Sequence, residues 1–330
     1  MAERILVTGA NGFVGAVLCR RLQESGFLVR GAVRDQAKLP QCGTSESNDF
    51  EWVVLHDRSD EDETKHALQG MRTVVHLAAR VHVMADDASD PLREFRQVNC
   101  VWTERLARTA ALLGCRRFVY LSSIKVNGEQ TLVPFTEQDL PKPQDPYGVS
   151  KWEAEEALAR ISTQTVMETV VVRSPLVYGP GVRGNFLQLL NILRRGIPLP
   201  LASIRNQRSL VYLGNLVDAL VRCIHDPRAA GRTYLVSDGE DLSTPELVRR
   251  LGDAMGSKVC LCPCPTPLLY WMGQVTGKMG MIDRLVGSLQ VNSSKIQTEL
   301  DWHPPFTVAA GLSETATWFR DRTTSLVVAS

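Results

Sequence analysis

The first residues of the chain constrain its fold more than any later stretch. An apolar run, Ile5-Leu6-Val7, leads into Gly9-Ala10-Asn11-Gly12-Phe13-Val14-Gly15. The spacing is G-x-x-G-x-x-G, placed where a strand should give way to a helix. Gly9 then permits the tight turn, Gly12 lets the backbone approach a pyrophosphate, and Gly15 lets the helix lie close to the sheet. Phosphates at such a helix N-terminus meet free N–H groups and a favourable dipole. A glycine-rich turn that holds nothing is the bland alternative, and the position directly after an N-terminal strand argues against it. Gly9, Asn11, Gly12, Phe13, Val14 and Gly15 are candidate contacts to a dinucleotide.

Apolar runs of strand length alternate with helical patterns through the first half. Strands are expected at Ile5–Val7, Leu28–Val33, Trp52–Leu55, Thr73–Leu77, Phe118–Leu121 and Thr169–Val172, and helices at Phe13–Ser25, Phe95–Leu113 and Tyr147–Arg160. This alternation predicts an α/β fold, a doubly wound parallel sheet with helices on both faces. Asp145-Pro146 suits a helix cap followed by a proline in the first turn. After Arg173, Pro175, Gly179-Pro180-Gly181 and Gly184 break the pattern, and Arg208–Asp226 resumes it. The expected division is a nucleotide-binding domain from 1–174 and about 205–240, with a smaller α/β substrate lobe from about 175–204 and 241–330.

The 330 residues suffice for a large core, and the net charge of +1 offers no basic surface for nucleic acid. The 8 cysteines form no disulfide framework and read as reduced thiols of a cytoplasmic protein. No signal peptide is expected, because the first strand begins near Arg4, and no apolar stretch reaches the roughly 18 residues of a membrane span. Leu268–Leu289 is the region through which peripheral attachment would occur.

At the end of the second strand an acid would accept hydrogen bonds from the adenosine ribose and favour NAD. The chain reads Gly31-Ala32-Val33-Arg34-Asp35. Arg34 can pair with a 2′-phosphate, which tips the expectation towards NADP(H), with NAD(H) retained if Asp35 is the ribose acid. Asp57, after the third strand, is a candidate for the adenine amino group. Tyr147 and Lys151 stand at i and i+4, on one helix face. A phenol near pKa 10 needs a neighbouring ammonium to work at neutral pH. Ser123, ending Leu121-Ser122-Ser123, offers a hydroxyl to the same substrate oxygen.

Taken together, G-A-N-G-F-V-G, H-L-A-A at His76–Ala79, Asn99, L-S-S at Leu121–Ser123, Y-G-V-S-K at Tyr147–Lys151, R-S-P-L-V-Y-G-P-G at Arg173–Gly181 and R-S-L-V-Y at Arg208–Tyr212 resemble the extended short-chain dehydrogenase/reductase superfamily. The resemblance is to its NAD-dependent epimerase/dehydratase branch, which acts on nucleotide sugars, and covers nearly the whole chain. It implies a Rossmann-type fold and a catalytic Ser123, Tyr147 and Lys151, with Lys151 also on the nicotinamide ribose. Leu77, Ala78, Ala79, Asn99 and Pro175 would line the cofactor. Asn185 and Arg208 would meet the nucleotide diphosphate of a UDP-sugar, with Arg284 as a second arginine and Lys125 beside the sugar. Helices near Phe95–Leu113 and Tyr147–Arg160 resemble the family's dimer interface, so a homodimer is expected.

Departures from the branch narrow the reaction. Ile124-Lys125 replaces the acids that sugar 4,6-dehydratases carry there, which argues against dehydration. Asn127 stands where 4-epimerases usually have tyrosine, and Leu176 where they often have asparagine. The favoured expectation is reduction of a UDP-4-keto-6-deoxy-(N-acetyl)hexose for surface-polysaccharide synthesis. A UDP-glucose or UDP-GlcNAc 4-epimerase is the first alternative, and a non-catalytic dinucleotide-sensing regulator the second.

Cys260-Leu261-Cys262-Pro263-Cys264 lacks the two-residue spacing and fourth ligand of a thiolate metal site, so packing is expected and no metal. His76 reads as a core histidine. Arg80 and His82, just past a strand's C-terminal end, are candidate substrate contacts.

Overall fold

The computed structural model describes residues 3–38, 49–81, 90–277 and 279–328, the last six of them as backbone. Among the described residues seven parallel strands form the main sheet: β1 (Arg4–Thr8), β2 (Leu28–Val33), β3 (Phe50–Val54), β4 (Thr73–His76), β5 (Arg117–Ser123), β6 (Glu168–Ser174) and, much later in the chain, β9 (Thr233–Leu235). Their order is β3-β2-β1-β4-β5-β6-β9. The chain winds outward from β1 through β2 to β3, then crosses back to continue from β4. Between β1 and β4 the following loops therefore diverge, and ligands of open α/β sheets bind in that crevice.

Both faces of the sheet are covered, as parallel sheets require. Ile5 and Val7 of β1 join one core with Leu18 and Leu22 of α1 (Phe13–Glu24). Leu6 joins the other, with Leu68 of α2 (Glu61–Leu68), Trp102 and Leu106 of α4 (Trp102–Leu112), and Leu158 of α5 (Pro146–Gln164). The core face of α1 recurs as Gly15, Leu18, Cys19 and Leu22, the i, i+3, i+4, i+7 stripe of an amphipathic helix.

The helix expected over Phe95–Leu113 is interrupted. A short α3 (Pro91–Arg96) passes into a wide π turn at Gln97–Val101 before α4 begins. Hydrophobic periodicity cannot reveal such a turn, because the inserted residue leaves the flanking apolar pattern readable. The turn drives Asn99 inward, where it is 1% exposed.

After β6 the chain leaves the main sheet. β7 (Leu176–Tyr178) and β8 (Leu210–Tyr212) pair in parallel as a separate two-stranded sheet, with α6 (Gly184–Arg194) between them in sequence. α7 (Leu213–His225) returns to lie against α1, and β9 completes the main sheet beside β6. Arg117 of β5 fastens this return. Its buried guanidinium donates to the carbonyls of Cys223, Ile224 and Asp226 at the C-terminus of α7, at 2.8–2.9 Å, and pairs with Glu168 at 2.6 Å. Then follow α8 (Thr244–Met255), α9 (Thr266–Val275), α10 (Met279–Val286), α11 (Ser294–Leu300) and α12 (Val308–Val328). Among the described residues no helix is long and apolar enough to cross a membrane.

Candidate active site

The glycine turn after β1 is built as a cradle. Gly9 has φ of 70°, a conformation that side chains resist. Gly12 donates its N–H to Gly9 O at 2.9 Å and is the N-cap of α1. No side chain caps this helix end, and its first turn carries no acid. A Cβ on Gly15 would lie 2.1 Å from Gly9 O, and one on Gly9 would lie 3.1 Å from Ala78 N. The turn is thus pressed against its own helix and the loop after β4, with Asn11 and Gly12 exposed at its outer edge. The arrangement fits the pyrophosphate of a dinucleotide. Phe13 and Val14 are half-buried behind it.

Thr8 joins the two sides of the crevice. Its hydroxyl accepts from the N–H groups of Leu77 and Ala78, each at 3.2 Å, and bonds His76 Nδ1 at 2.7 Å. The His76 Nε2 meets Thr103 Oγ1 at 3.0 Å. Burial, with the nearby Lys151 cation second, pushes the His76 pKa down to about 3, so the ring stays neutral. It is a core histidine that shapes the loop. Asn99 holds the next residues: its side chain accepts from Arg80 N at 2.8 Å and donates to Arg80 O and Ser150 Oγ, both at 3.0 Å. Arg80 itself lies over the Phe95 ring at 5.5 Å. Ala79 is half-buried in the same loop, and His82 lies outside the described residues.

At the adenosine end, Arg34 and Asp35 are both exposed just beyond β2, and the Asp35 carboxylate accepts from Ala37 N at 3.0 Å. Asp57 is half-buried after β3, with its carbonyl held by Arg105 at 2.8 Å.

Ser123 ends β5, and Tyr147 and Lys151 sit on successive turns of α5. Asp145 caps that helix, accepting from Gly148 N at 2.7 Å, with Pro146 in the first turn. Ser123 hydrogen-bonds the Tyr147 hydroxyl. The Lys151 ammonium donates to Leu121 O at 2.7 Å and lies 4.0 Å from the centre of the Tyr120 ring. Burial pushes the Tyr147 pKa up to about 12, reinforced by Asp145 and partly offset by Ser123. Burial likewise pushes Lys151 down to about 7, with Glu155 opposing. Sequence reasoning expected the ammonium to draw the phenol downward; here desolvation raises it instead. Burial thus favours the neutral form of each group.

A buried network that sequence reasoning missed stands behind this trio. Ser122 donates to Glu155 at 2.5 Å, and Glu155 pairs with Arg173 at 2.6 Å, both side chains 5% exposed. Arg173 also donates to Asn127 Oδ1 at 2.9 Å, and Asn127 donates to Thr136 O at 3.1 Å. The available signal was Glu155 itself, one helical turn beyond Lys151 on the same face. Lys125 is paired with Asp145 and, at 2.8 Å, with Glu129.

On the opposite side of the cleft, Pro175 is buried between β6 and β7, Leu176 is exposed, and Asn185 is exposed in the first turn of α6. Arg208 donates to the carbonyls of Arg284 and Gly287 at 3.0 and 2.9 Å. Burial lowers its pKa, with the Arg284 charge adding to that effect and Glu129 opposing it. The fold therefore brings together two arginines far apart in sequence. In the cysteine run, Cys260 and Cys262 sulfurs are 3.9 Å apart and Cys264 is buried.

A family model described as "NAD dependent epimerase/dehydratase family" matches residues 5–237. A "UDP-glucose 4-epimerase" of Vibrio cholerae is 43% identical, over 97% of this chain and 96% of its own length. The "N-acetyl-alpha-D-glucosaminyl-diphospho-ditrans,octacis-undecaprenol 4-epimerase" of Escherichia coli O157:H7 is 27% identical, over 96% of this chain and 95% of its own. Among solved structures, "MoeE5 in complex with UDP-glucuronic acid and NAD" superposes with a TM-score of 0.78 at 25% identity, covering 97% of this chain and 100% of that one.

Proposed function

The chain belongs to the NAD-dependent epimerase/dehydratase family and is an enzyme of the extended short-chain dehydrogenase type, and from that premise we propose that it epimerises C4 of a UDP-hexose, with NAD(H) retained through the cycle. The observation that carries this reading is the 43% identity to the Vibrio cholerae 4-epimerase over 97% of the chain. The first alternative of the sequence analysis thus moves ahead of the reductase. Asn127 weighed against an epimerase because it replaces a tyrosine. Its side chain is buried against Arg173 and Thr136, so that replacement is absorbed inside the protein. For the cofactor, the 25% identical structure carrying NAD supports NAD(H), and Asp35 stands ready beyond β2 as a ribose acceptor.

In this reading Gly9–Gly15 hold the pyrophosphate at the α1 N-terminus, while Arg208 and Arg284 hold the sugar's diphosphate. NAD held in that cradle would supply the two-electron chemistry for oxidation and re-reduction at C4. Tyr147, in its phenolate form, would accept the C4 hydroxyl proton as the hydride leaves and return it to the same oxygen in the second half-reaction, with the Ser123 hydroxyl beside it. Lys151 places a positive charge behind the phenol as that proton leaves. The neutral His76 and the Thr8 bridge fix the loop against which the nicotinamide end would lie.

One observation favours the second reading, reduction of a UDP-4-keto-6-deoxy sugar. β2 ends at Val33, without a carboxylate, and is followed by an exposed Arg34, a surface suited to a 2′-phosphate and an exchangeable NADP(H). Incubation with UDP-glucose, UDP-GlcNAc and UDP-4-keto sugars separates the two. Interconversion of the C4 epimers at catalytic cofactor levels supports the epimerase; one reduced cofactor consumed per product supports the reductase. A cytoplasmic homodimer serving surface-polysaccharide synthesis completes the proposal. Val101, Leu112 and Leu113 on the Gln97–Leu112 helical stretch and just past its end are exposed apolar residues in keeping with such an interface, and sedimentation of the purified chain tests it.

A further inference from the structure

One helical hairpin turns its apolar side chains outward. α9 exposes Leu268, Trp271, Met272 and Val275, an i, i+3, i+4, i+7 stripe on its solvent side, while Leu269 and Gly273 face the protein. Trp271 is 58% exposed and Val275 67%. Exposed Met281 continues the surface onto α10, which lies against α9 closely enough that a Cβ on Gly273 would sit 2.8 Å from Ile282. Contiguous exposed surface of this kind marks a docking site.

The charge pattern identifies the occupant. No charged residue occurs from Val259 to Gly277, and Lys258 and Lys278 bound the stretch. Lys258 is exposed, as is Arg284 on α10, and Asp283 is the one acid between Val259 and Gln290. An uncharged segment bounded in sequence by lysines, with Arg284 exposed on the adjoining helix, complements an apolar layer with an anionic border. Trp271 and Tyr270 each combine an apolar ring with a polar tip, the chemistry found at the headgroup level of bilayers. The 10 residues of α9 make a helix about 15 Å long, half of the roughly 30 Å hydrocarbon core. We propose that the α9–α10 hairpin rests in the plane of an anionic lipid bilayer surface without crossing it. Arg284, one turn from Met281, then sets the arginine pair of the cleft at the headgroup plane.

The test is sedimentation of the full-length protein with phosphatidylcholine vesicles, with and without phosphatidylglycerol. Binding to the phosphatidylglycerol vesicles is expected, weakened by salt. Trp271→Ser combined with Val275→Ser should weaken it roughly tenfold while the melting temperature stays that of the wild type. Lys258→Glu, which removes no apolar contact, should weaken binding to the anionic vesicles alone. Wild-type protein that remains in solution with both vesicle types overturns the proposal. So does vesicle binding that survives all three substitutions. An oligomer that the double substitution splits, in a protein that never sediments with vesicles, also overturns it, because a second copy is then the occupant.

Discussion

The Lys151 ammonium donates to the carbonyl oxygen of Leu121 at 2.7 Å, two residues before the serine that hydrogen-bonds Tyr147. A strand carbonyl thus aims the lysine, and the charge it aims is buried. The folded-state pKa is about 7 against an ordinary 10.5.

That depression has a definite sign in stability. An unfolded chain keeps the lysine proton up to about pH 10.5, whereas the folded chain releases it from about pH 7 upward. Charged Lys151 therefore opposes folding fully below pH 7, and the opposition fades as pH rises towards 10.5. Lys151→Met should melt higher than wild type below pH 7, by several degrees for on the order of a few kcal/mol, and lose turnover. The advantage should shrink in alkaline buffer. Calorimetry on both sides of neutrality decides, and a methionine variant less stable at every pH sinks the account.

Tyr147→Phe should keep the fold and dinucleotide affinity, because the ring still meets Phe95 edge-on at 6.1 Å. Turnover should fall by roughly 10²-fold or more, the scale of lost general acid–base catalysis. Initial rates beside a dinucleotide titration check both halves, and a near-normal rate removes this hydroxyl from the mechanism.

Gly12 and Gly15 should fail in different ways. A Cβ on Gly15 meets Gly9 O at 2.1 Å and Ala10 Cα at 2.9 Å, so Gly15→Ala must shift backbone and should lower the melting temperature even without ligand. At Gly12 the nearest atom is Gly9 O at 3.0 Å and the residue is exposed. Gly12→Ala should fold nearly as well and lose dinucleotide binding, as calorimetric titration of the two variants would reveal. Equal folding losses in both would contradict the cradle.

Breaking the Glu155–Arg173 pair from one side leaves a buried charge alone. Glu155→Ala should cost about 3–5 kcal/mol, whereas replacing both residues by methionine should recover much of that loss. Urea unfolding of the two variants measures it. A single variant as stable as wild type would mean that solvent reaches the pair.

The main sheet was legible because β-α alternation and the glycine turn depend on local spacing, and β2 was placed at Leu28–Val33 from its apolar run alone. The trio of Ser123, Tyr147 and Lys151 was legible too, as a strand end and two turns of one helix. The π turn at Asn99 was hidden by uninterrupted periodicity. Thr8, Glu155 and Arg173 were hidden for another reason: each acts through a partner distant in sequence, and ordinary polar residues carry no local mark of such pairing. The direction of the Tyr147 shift also depends on burial, which the spacing to Lys151 does not encode.

The clasp formed by Arg117 bears on how the chain matures. A guanidinium in the fifth strand meets its carbonyl partners only at the end of a helix that begins to supply them 106 residues later, and the sheet's outer strand arrives later still, at Thr233–Leu235. A ribosome that has released only the first five strands holds a chain with a buried cation lacking its carbonyl partners and an uncovered edge. Such long-range closure is slow, so the nascent protein should stay sensitive to protease until β9 has left the exit tunnel, then become resistant in one step. Stalled chains ending before and after Leu235 would display that step.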